Sequence, residues 1–150
     1  MALIVQKYGG TSVGTVEKIQ LVAEKIIETK KEGHQVVVVV SAMSGETNRL
    51  LALAKNISSS PDNRELDVLL STGEQVTIAL LSMALKEKGF DAISYTGGQI
   101  SIQTDSSHSK ARINNIEVGR VQRKLEDGKI VVIAGFQGVD EHGNITTLGR

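Results

Sequence analysis

The sequence predicts an α/β fold: a three-layer αβα sandwich whose mostly parallel sheet carries helices on both faces. Three observations lead there. Val36 to Val40 and Ile130 to Ala134 are continuous apolar runs rich in β-branched residues, the pattern of strands buried on both faces. Around them, apolar residues recur at helical spacing. Strand and helix patterns then alternate along the chain at the spacing of βαβ units, which sets consecutive strands parallel.

Taken in order, Ala2-Leu3-Ile4-Val5 is a first short strand, followed by a glycine-rich turn. Val16, Ile19, Val22, Ala23, Ile26 and Ile27 place an amphipathic helix over 15–32. Lys30 and Lys31 stand where a helix dipole favours cations, and Gly33 supplies the residue after the cap. Val36 to Val40 is the second strand, and Leu50, Leu51, Leu53, Ala54 and Ile57 mark a second helix. Ser58 to Asn63 is the clearest loop and holds the only proline. A third helix runs from Glu65 to Lys88, interrupted near Gly73 and ended at Gly89. Ala92–Tyr95 and Ile100–Ile102 are short strands, the second alternating as an exposed one does. Ile113 to Leu125 follows as a helix, Ile130 to Ala134 as a buried strand, and Asn144 to Leu148 as a short extended end.

At 150 residues the chain is one domain's worth, long enough for a real core. Seventeen basic and 17 acidic residues cancel, which argues against a nucleic-acid partner held by bulk charge. With no cysteine, neither a disulfide nor a thiolate metal site is possible, which fits a reducing cytosol. The longest wholly apolar run, Val36 to Val40, is too short to span a bilayer, and the N-terminus lacks a secretory layout. The expectation is a soluble, cytoplasmic chain with neither nucleic acid nor membrane as partner.

Ligands of open α/β sheets lie outside the carboxyl ends of the strands. Four segments meet that condition: Lys7 to Ser12, Ser41 to Gly45, Thr96 to Gly98 and Gly135 to Gly138. In the first, Gly9 and Gly10 let the backbone approach an anion, Thr11 and Ser12 add hydroxyls, and Lys7 adds a charge. The same Gly-Gly pair also serves a turn that binds nothing. It is neither a Walker A loop nor a G-x-G-x-x-G fingerprint. Ser71-Thr72-Gly73-Glu74 matches a capping box, in which Ser71 and Glu74 satisfy each other's backbone N–H groups. The competing reading makes Glu74 an anion facing the crevice, ready to hold an ammonium. Thr47 fits a helix N-cap, and Arg49 a solvated helix position. His34, His108 and His142 lie in polar loops without ligand spacing and read as surface residues, so no metal site is expected.

Together the segments KYGGTSV at 7–13, VVVVVSAMSGETNRL at 36–50, STGEQVTIALLSMAL at 71–85, TDSSHSKARI at 104–113 and GFQGVDEHGNITTLGR at 135–150 resemble the aspartate kinases of the amino acid kinase family. The resemblance implies ATP-dependent phosphorylation of the β-carboxylate of L-aspartate, the first step of lysine, threonine and methionine synthesis. A carboxylate is already ionised at neutral pH, so no general base is required, and catalysis rests on positioning and charge neutralisation. By motif, Lys7 contacts the transferring phosphoryl group and Gly9, Gly10, Thr11 and Ser12 form its cradle. Ser41 and Thr47 line the aspartate site, Glu74 holds the ammonium, Arg150 clamps the α-carboxylate and Phe136 packs beside the substrate. ATP and Mg²⁺, the metal held by the nucleotide phosphates, are the implied cofactors, and a homo-oligomer the implied assembly.

In the family the last motif runs on into Gly-Gly-Ser-Asp, a nucleotide-binding half and regulatory ACT domains. This sequence stops at Arg150, so the resemblance implies the N-terminal, substrate-binding half of a kinase domain, inactive alone. Gly98 to Gln103 departs from the family's Gln-Ala-Gly-Ile pattern and is expected to form a surface strand without a catalytic role. Two alternatives stand beside this reading. One is a sibling kinase acting on glutamate, N-acetylglutamate or a nucleoside monophosphate. The other is a non-catalytic aspartate-binding or assembly module, self-associating through an open sheet edge.

Overall fold

A computed structural model describes residues 1–149. The chain runs β1 (Leu3–Tyr8), α1 (Val16–Lys31), β2 (Gln35–Val40), α2 (Glu46–Ile57), α3 (Asn63–Glu87), β3 (Ala92–Tyr95), β4 (Ile102–Thr104), β5 (Ile113–Ile116), α4 (Gly119–Glu126), β6 (Ile130–Ala134), β7 (Gln137–Val139) and β8 (Ile145–Thr147). Strands β1, β2, β6 and β3, in that order, form a four-stranded sheet that is parallel throughout. The two continuous apolar runs are its central strands, as their composition requires.

Alternation along those strands feeds two cores. Val36, Val38, Val40, Ile130, Val132 and Ala134 pack under α1 and α3. Val37, Val131 and Ile133 face the other way, onto Leu125 and Val121 of α4 and onto Tyr95, Ile100 and Ile102. Helices therefore cover both faces. The cover is uneven: Leu3 and Val5, in register with Gln35 and Val37, remain 55% and 61% exposed.

Helix α1 forms where the apolar spacing places it, with Thr15 as N-cap accepting the Lys18 N–H at 3.2 Å and Gly33 at φ +91° beyond its end. Helix α3 is a single unbroken 25-residue helix capped by Asp62, which accepts the Glu65 N–H at 3.0 Å. It is long enough, and apolar enough over an 18-residue stretch, to suit a membrane span, yet its apolar stripe is spent on the core. Leu81 and Leu85 are fully buried, each contributing about 1.5–3 kcal/mol relative to exposure.

Three local expectations are corrected. Residues 113–125 are not one helix: Ile113–Ile116 pairs antiparallel with β4, and helix begins only at Gly119. The three-residue spacing of Ile113 and Ile116 imitates a helix stripe, but Asn114 and Asn115 are weak helix formers and the β4 edge offers a ladder. Ile100–Ile102 is not an exposed strand either. Residues 97–101 turn, with Ile102 N–H bonded to Gly97 O at 2.9 Å, and both isoleucines are buried. Finally, β5, β4, β7 and β8 make a second, mixed sheet that the sequence reading did not separate from the first.

Candidate active site

An open cleft of about 910 Å³ lies at the carboxyl ends of β2 and β6. Its walls are the 41–45 loop, the start of α2, one face of α3, and the loops at 109–110, 136–137 and 147–149. Two of the four expected loops, those after β2 and β6, contribute directly. From the glycine turn only Gly10 reaches it, and Thr96–Gly98 does not line it at all. Gly97 instead packs on the Gln137 backbone, where a Cβ would collide with the carbonyl.

Among the described residues Glu74 is the one acidic side chain lining the cleft, and it is only 5% exposed. The Phe136 N–H lies 3.2 Å from each of its oxygens, and Gln137 Nε2 lies 3.2 Å from Oε1. The capping-box alternative is excluded. Ser71 and Glu74 sit inside an established helix, and the Ser71 hydroxyl donates to Val68 O at 2.7 Å. No break occurs at Gly73. The missing side chain admits the Ala42 loop, since an added Cβ would lie 3.0 Å from the Ala42 Cβ.

Ser41, Thr47 and Phe136 all line the same cleft. Thr47 is not the N-cap: the left-handed Gly45 occupies that position, and Thr47 lines the cleft from the first turn of α2. Lys7, at the end of β1, carries its ammonium 5.5 Å from the centroid of the Phe136 ring. Residues Gly9 to Ser12 form a turn closed by Ser12 N–H to Gly9 O at 3.0 Å. A Cβ on Gly10 would meet Ala42 O at 3.1 Å, whereas one on Gly9 would meet nothing within 4 Å. So Gly10 serves close loop packing, and Gly9 borders open space. Arg49 is exposed and paired with Glu46 at 2.6 Å. That hydrogen bond holds the Glu46 carboxyl below its ordinary range. Arg150 lies outside the described residues.

The sequence reading missed a second polar group. Asp67, fully buried on α3, accepts from His108 Nδ1 at 2.7 Å, Thr147 Oγ1 at 2.6 Å and the Ser109 N–H at 3.0 Å. His108 is therefore not a free surface residue; it is tied into the interior, while His142 is exposed. Asp67, Ser71 and Glu74 stand four and then three residues apart, on one helix face. Polar residues at core spacing in an apolar helix were the available signal. Nearby, burial raises the Asp140 carboxyl, but hydrogen bonds from Asn144, Ser106 and His142 outweigh it and lower the pKa to about 2. Among the described residues no cluster of three or more His, Asp or Glu side chains is placed to hold a metal.

The sequence model of the amino acid kinase family matches residues 2–150. An aspartate kinase of Stutzerimonas stutzeri is 67% identical over 150 residues, covering 100% of this chain and 36% of that protein. Aspartokinase 2 of Bacillus subtilis is 61% identical over 150 residues, covering 100% of this chain and 37% of its own length. The chain thus spans little more than a third of the curated relatives it matches. Among solved structures, the aspartate kinase from Synechocystis aligns with a TM-score of 0.82 at 51% identity, covering 99% of this chain and 24% of that one. E. coli aspartokinase III in complex with aspartate and ADP aligns with a TM-score of 0.86 at 22% identity, covering 100% and 44%, a likeness of fold.

Proposed function

Because the chain belongs to the amino acid kinase family, we propose that it forms the acceptor-binding part of an aspartate kinase, which phosphorylates the β-carboxylate of L-aspartate with ATP. The observation that carries this reading is the Glu74 carboxylate, buried on α3 yet lining a cleft beside Ser41, Thr47 and Phe136. A free α-ammonium calls for an anion in the site. An N-acetylated amine or a uracil does not, which sets those two sibling acceptors aside and leaves glutamate to be separated by experiment. The Glu74 carboxylate is oriented from behind by Phe136 N–H and Gln137 Nε2, so its position is fixed before substrate arrives.

In this reading Glu74 takes the substrate ammonium, the Ser41 and Thr47 hydroxyls bond its polar groups, and Arg150 receives the α-carboxylate in a planar fork. The β-carboxylate then points toward Lys7. Its oxygen forms the new P–O bond as the bond from the γ-phosphorus to the β–γ bridging oxygen breaks, giving 4-phospho-L-aspartate and ADP. Lys7 neutralises charge on the transferring group, with the backbone N–H groups and hydroxyls of Gly9, Gly10, Thr11 and Ser12 as its cradle. ATP supplies the phosphoryl group, and Mg²⁺ is held by its phosphates. The resemblance implies a nucleotide-binding half and regulatory ACT domains in the full-length enzyme, beside the acceptor-binding part that this chain forms. The setting is cytoplasmic amino-acid biosynthesis, the assembly a homo-oligomer.

The test is hydroxylamine trapping with the protein at its full natural length. L-aspartate and ATP yield a hydroxamate, and L-glutamate yields far less. Absence of hydroxamate from aspartate, or equal yields from both acids, overturns the proposal. A second reading, an assembly module, has one observation in its favour: β1 is an edge strand with Leu3 and Val5 exposed on its face. Sedimentation decides it, since a chain that stays monomeric at high concentration is no such module.

A further inference from the structure

We infer that Asp67 is a positioning residue for this cleft, fixing the wall made by residues 109–110 and 147–149 relative to Glu74. The inference rests on the proposed kinase reading for its substrate, and on geometry alone for the clamp. Asp67 does not itself line the cleft, and its side chain is wholly buried. A buried carboxylate is costly unless its oxygens are saturated with donors. Here they are saturated, and every donor comes from the two segments that build one wall.

Oδ1 accepts from Thr147 Oγ1 at 2.6 Å and from the Ser109 N–H at 3.0 Å. Oδ2 accepts the same N–H at 3.2 Å and faces His108 Nδ1 at 2.7 Å. The two segments are also stitched to each other, Ala111 N–H to Thr147 O and Gly149 N–H to Ala111 O, both at 3.0 Å. Ser109 and Lys110 on one, and Thr147, Leu148 and Gly149 on the other, line the cleft.

Ser109 shows what the clamp holds. Its φ is +71°, the left-handed region that a residue with a Cβ occupies only when its surroundings fix it. Its N–H, shared between both Asp67 oxygens, is the group that fixes it. The reference end is equally rigid. Asp67 and Glu74 lie seven residues apart on an unbroken helix, roughly 10 Å along its axis. One face of α3 thus carries the ammonium anchor at one point and the wall's fastening at another.

The test compares wild-type and Asp67→Asn protein at full natural length by acceptor kinetics and amide hydrogen exchange. The variant keeps the shape of the side chain and removes its charge and one acceptor. KM for L-aspartate rises about tenfold or more, kcat stays within about threefold, and KM for ATP is unchanged. Adding Ser109→Gly, which holds a left-handed φ unaided, restores part of the loss, a rescue that a merely structural aspartate would not show. Exchange at residues 109–111 accelerates while residues 78–85 stay protected. Should Asp67→Asn fail to fold, Thr147→Val and His108→Ala each remove one contact and are read the same way. An unchanged aspartate KM in a folded variant, or equal rises in both KM values, overturns the inference. If wild-type protein yields no hydroxamate from aspartate, the kinase reading fails instead. The exchange data then decide alone: lost protection at 109–111 supports the clamp, and retained protection overturns it.

Discussion

The backbone N–H of Phe136 lies 3.2 Å from each oxygen of Glu74, joining the loop after β6 to the middle of α3 across 62 residues of chain. The bond orients an acid at the cleft, and it also makes Glu74 part of the fold. Glu74→Gln separates the two roles, because the amide oxygen still accepts from Phe136 while the charge is gone. A charge-assisted hydrogen bond is worth about 1.5–3 kcal/mol, so aspartate binding weakens by roughly 10- to 150-fold. Melting temperature moves little by comparison. Calorimetric titration with L-aspartate and a thermal melt check both halves.

Lys7→Ala removes the charge that neutralises the transferring group and leaves the acceptor groups in place. Losing one such preorganised donor lowers kcat by about 10²–10³-fold. L-aspartate affinity stays close to that of the parent. Full activity in the hydroxamate assay would remove Lys7 from the mechanism.

Gly73→Ala sets two effects against each other. Alanine gains about 1 kcal/mol of helix propensity over glycine. The added Cβ, however, lands 3.0 Å from Ala42 Cβ and 3.5 Å from Glu46 Cγ, and such overpacking costs about 1–3 kcal/mol. The second effect wins because the nearest neighbour is the Ala42 Cβ, which no side-chain rotation can move away. The variant unfolds at lower denaturant, and aspartate binding weakens as the start of α2 is displaced.

Asp140 gives a pH signature. Its carboxyl titrates at about 2 in the folded chain, against an ordinary 3.8. A depressed carboxyl contributes stability that is fully present above pH 3.8 and is lost as pH falls through about 2. The groups released on protonation are Asn144 and His142 in the β7–β8 turn and Ser106 in the loop beside the cleft. Asp140→Asn therefore shows a shallower fall in denaturation midpoint between pH 4 and pH 2 than the parent, measured in parallel.

Gly97→Ala tests the packing behind the site. The new Cβ collides with the backbone of Gln137, which no side-chain rotamer relieves. Since Gln137 bonds both Glu74 and Ser71 O, displacing it disturbs the cleft from outside. Stability falls by about 2 kcal/mol or more, seen as an earlier melt, with weaker aspartate binding.

The layered sheet was legible because strands buried on both faces must read as unbroken apolar runs, and Val36 to Val40 does. Ser41, Thr47, Glu74 and Phe136, singled out in the sequence, line one cleft. Asp67 was passed over because its partners lie 41, 42 and 80 residues away, beyond any local pattern. Its signal was chemical. The buried face of α3 carries Asp67, Ser71, Glu74 and Thr77 in its first part and Ile78, Leu81 and Leu85, with Ser82 among them, in its second, polar first and mainly apolar after. The second sheet escaped because three-residue strands such as β4 and β7 are defined by their partners, and β5 imitates a helix. Arg150 lies outside the described residues.

That division of α3 also orders the assembly of the molecule. Its apolar half packs on β2 and β6, a contact driven by burial alone. Its polar half gains little until Thr147, 80 residues downstream, arrives to meet Asp67. Contacts of such long separation form late, because loop closure must precede any gain from them. The binding wall is therefore expected to open under mild stress while the sheet beneath it persists, which amide exchange at 109–111 against 78–85 would show.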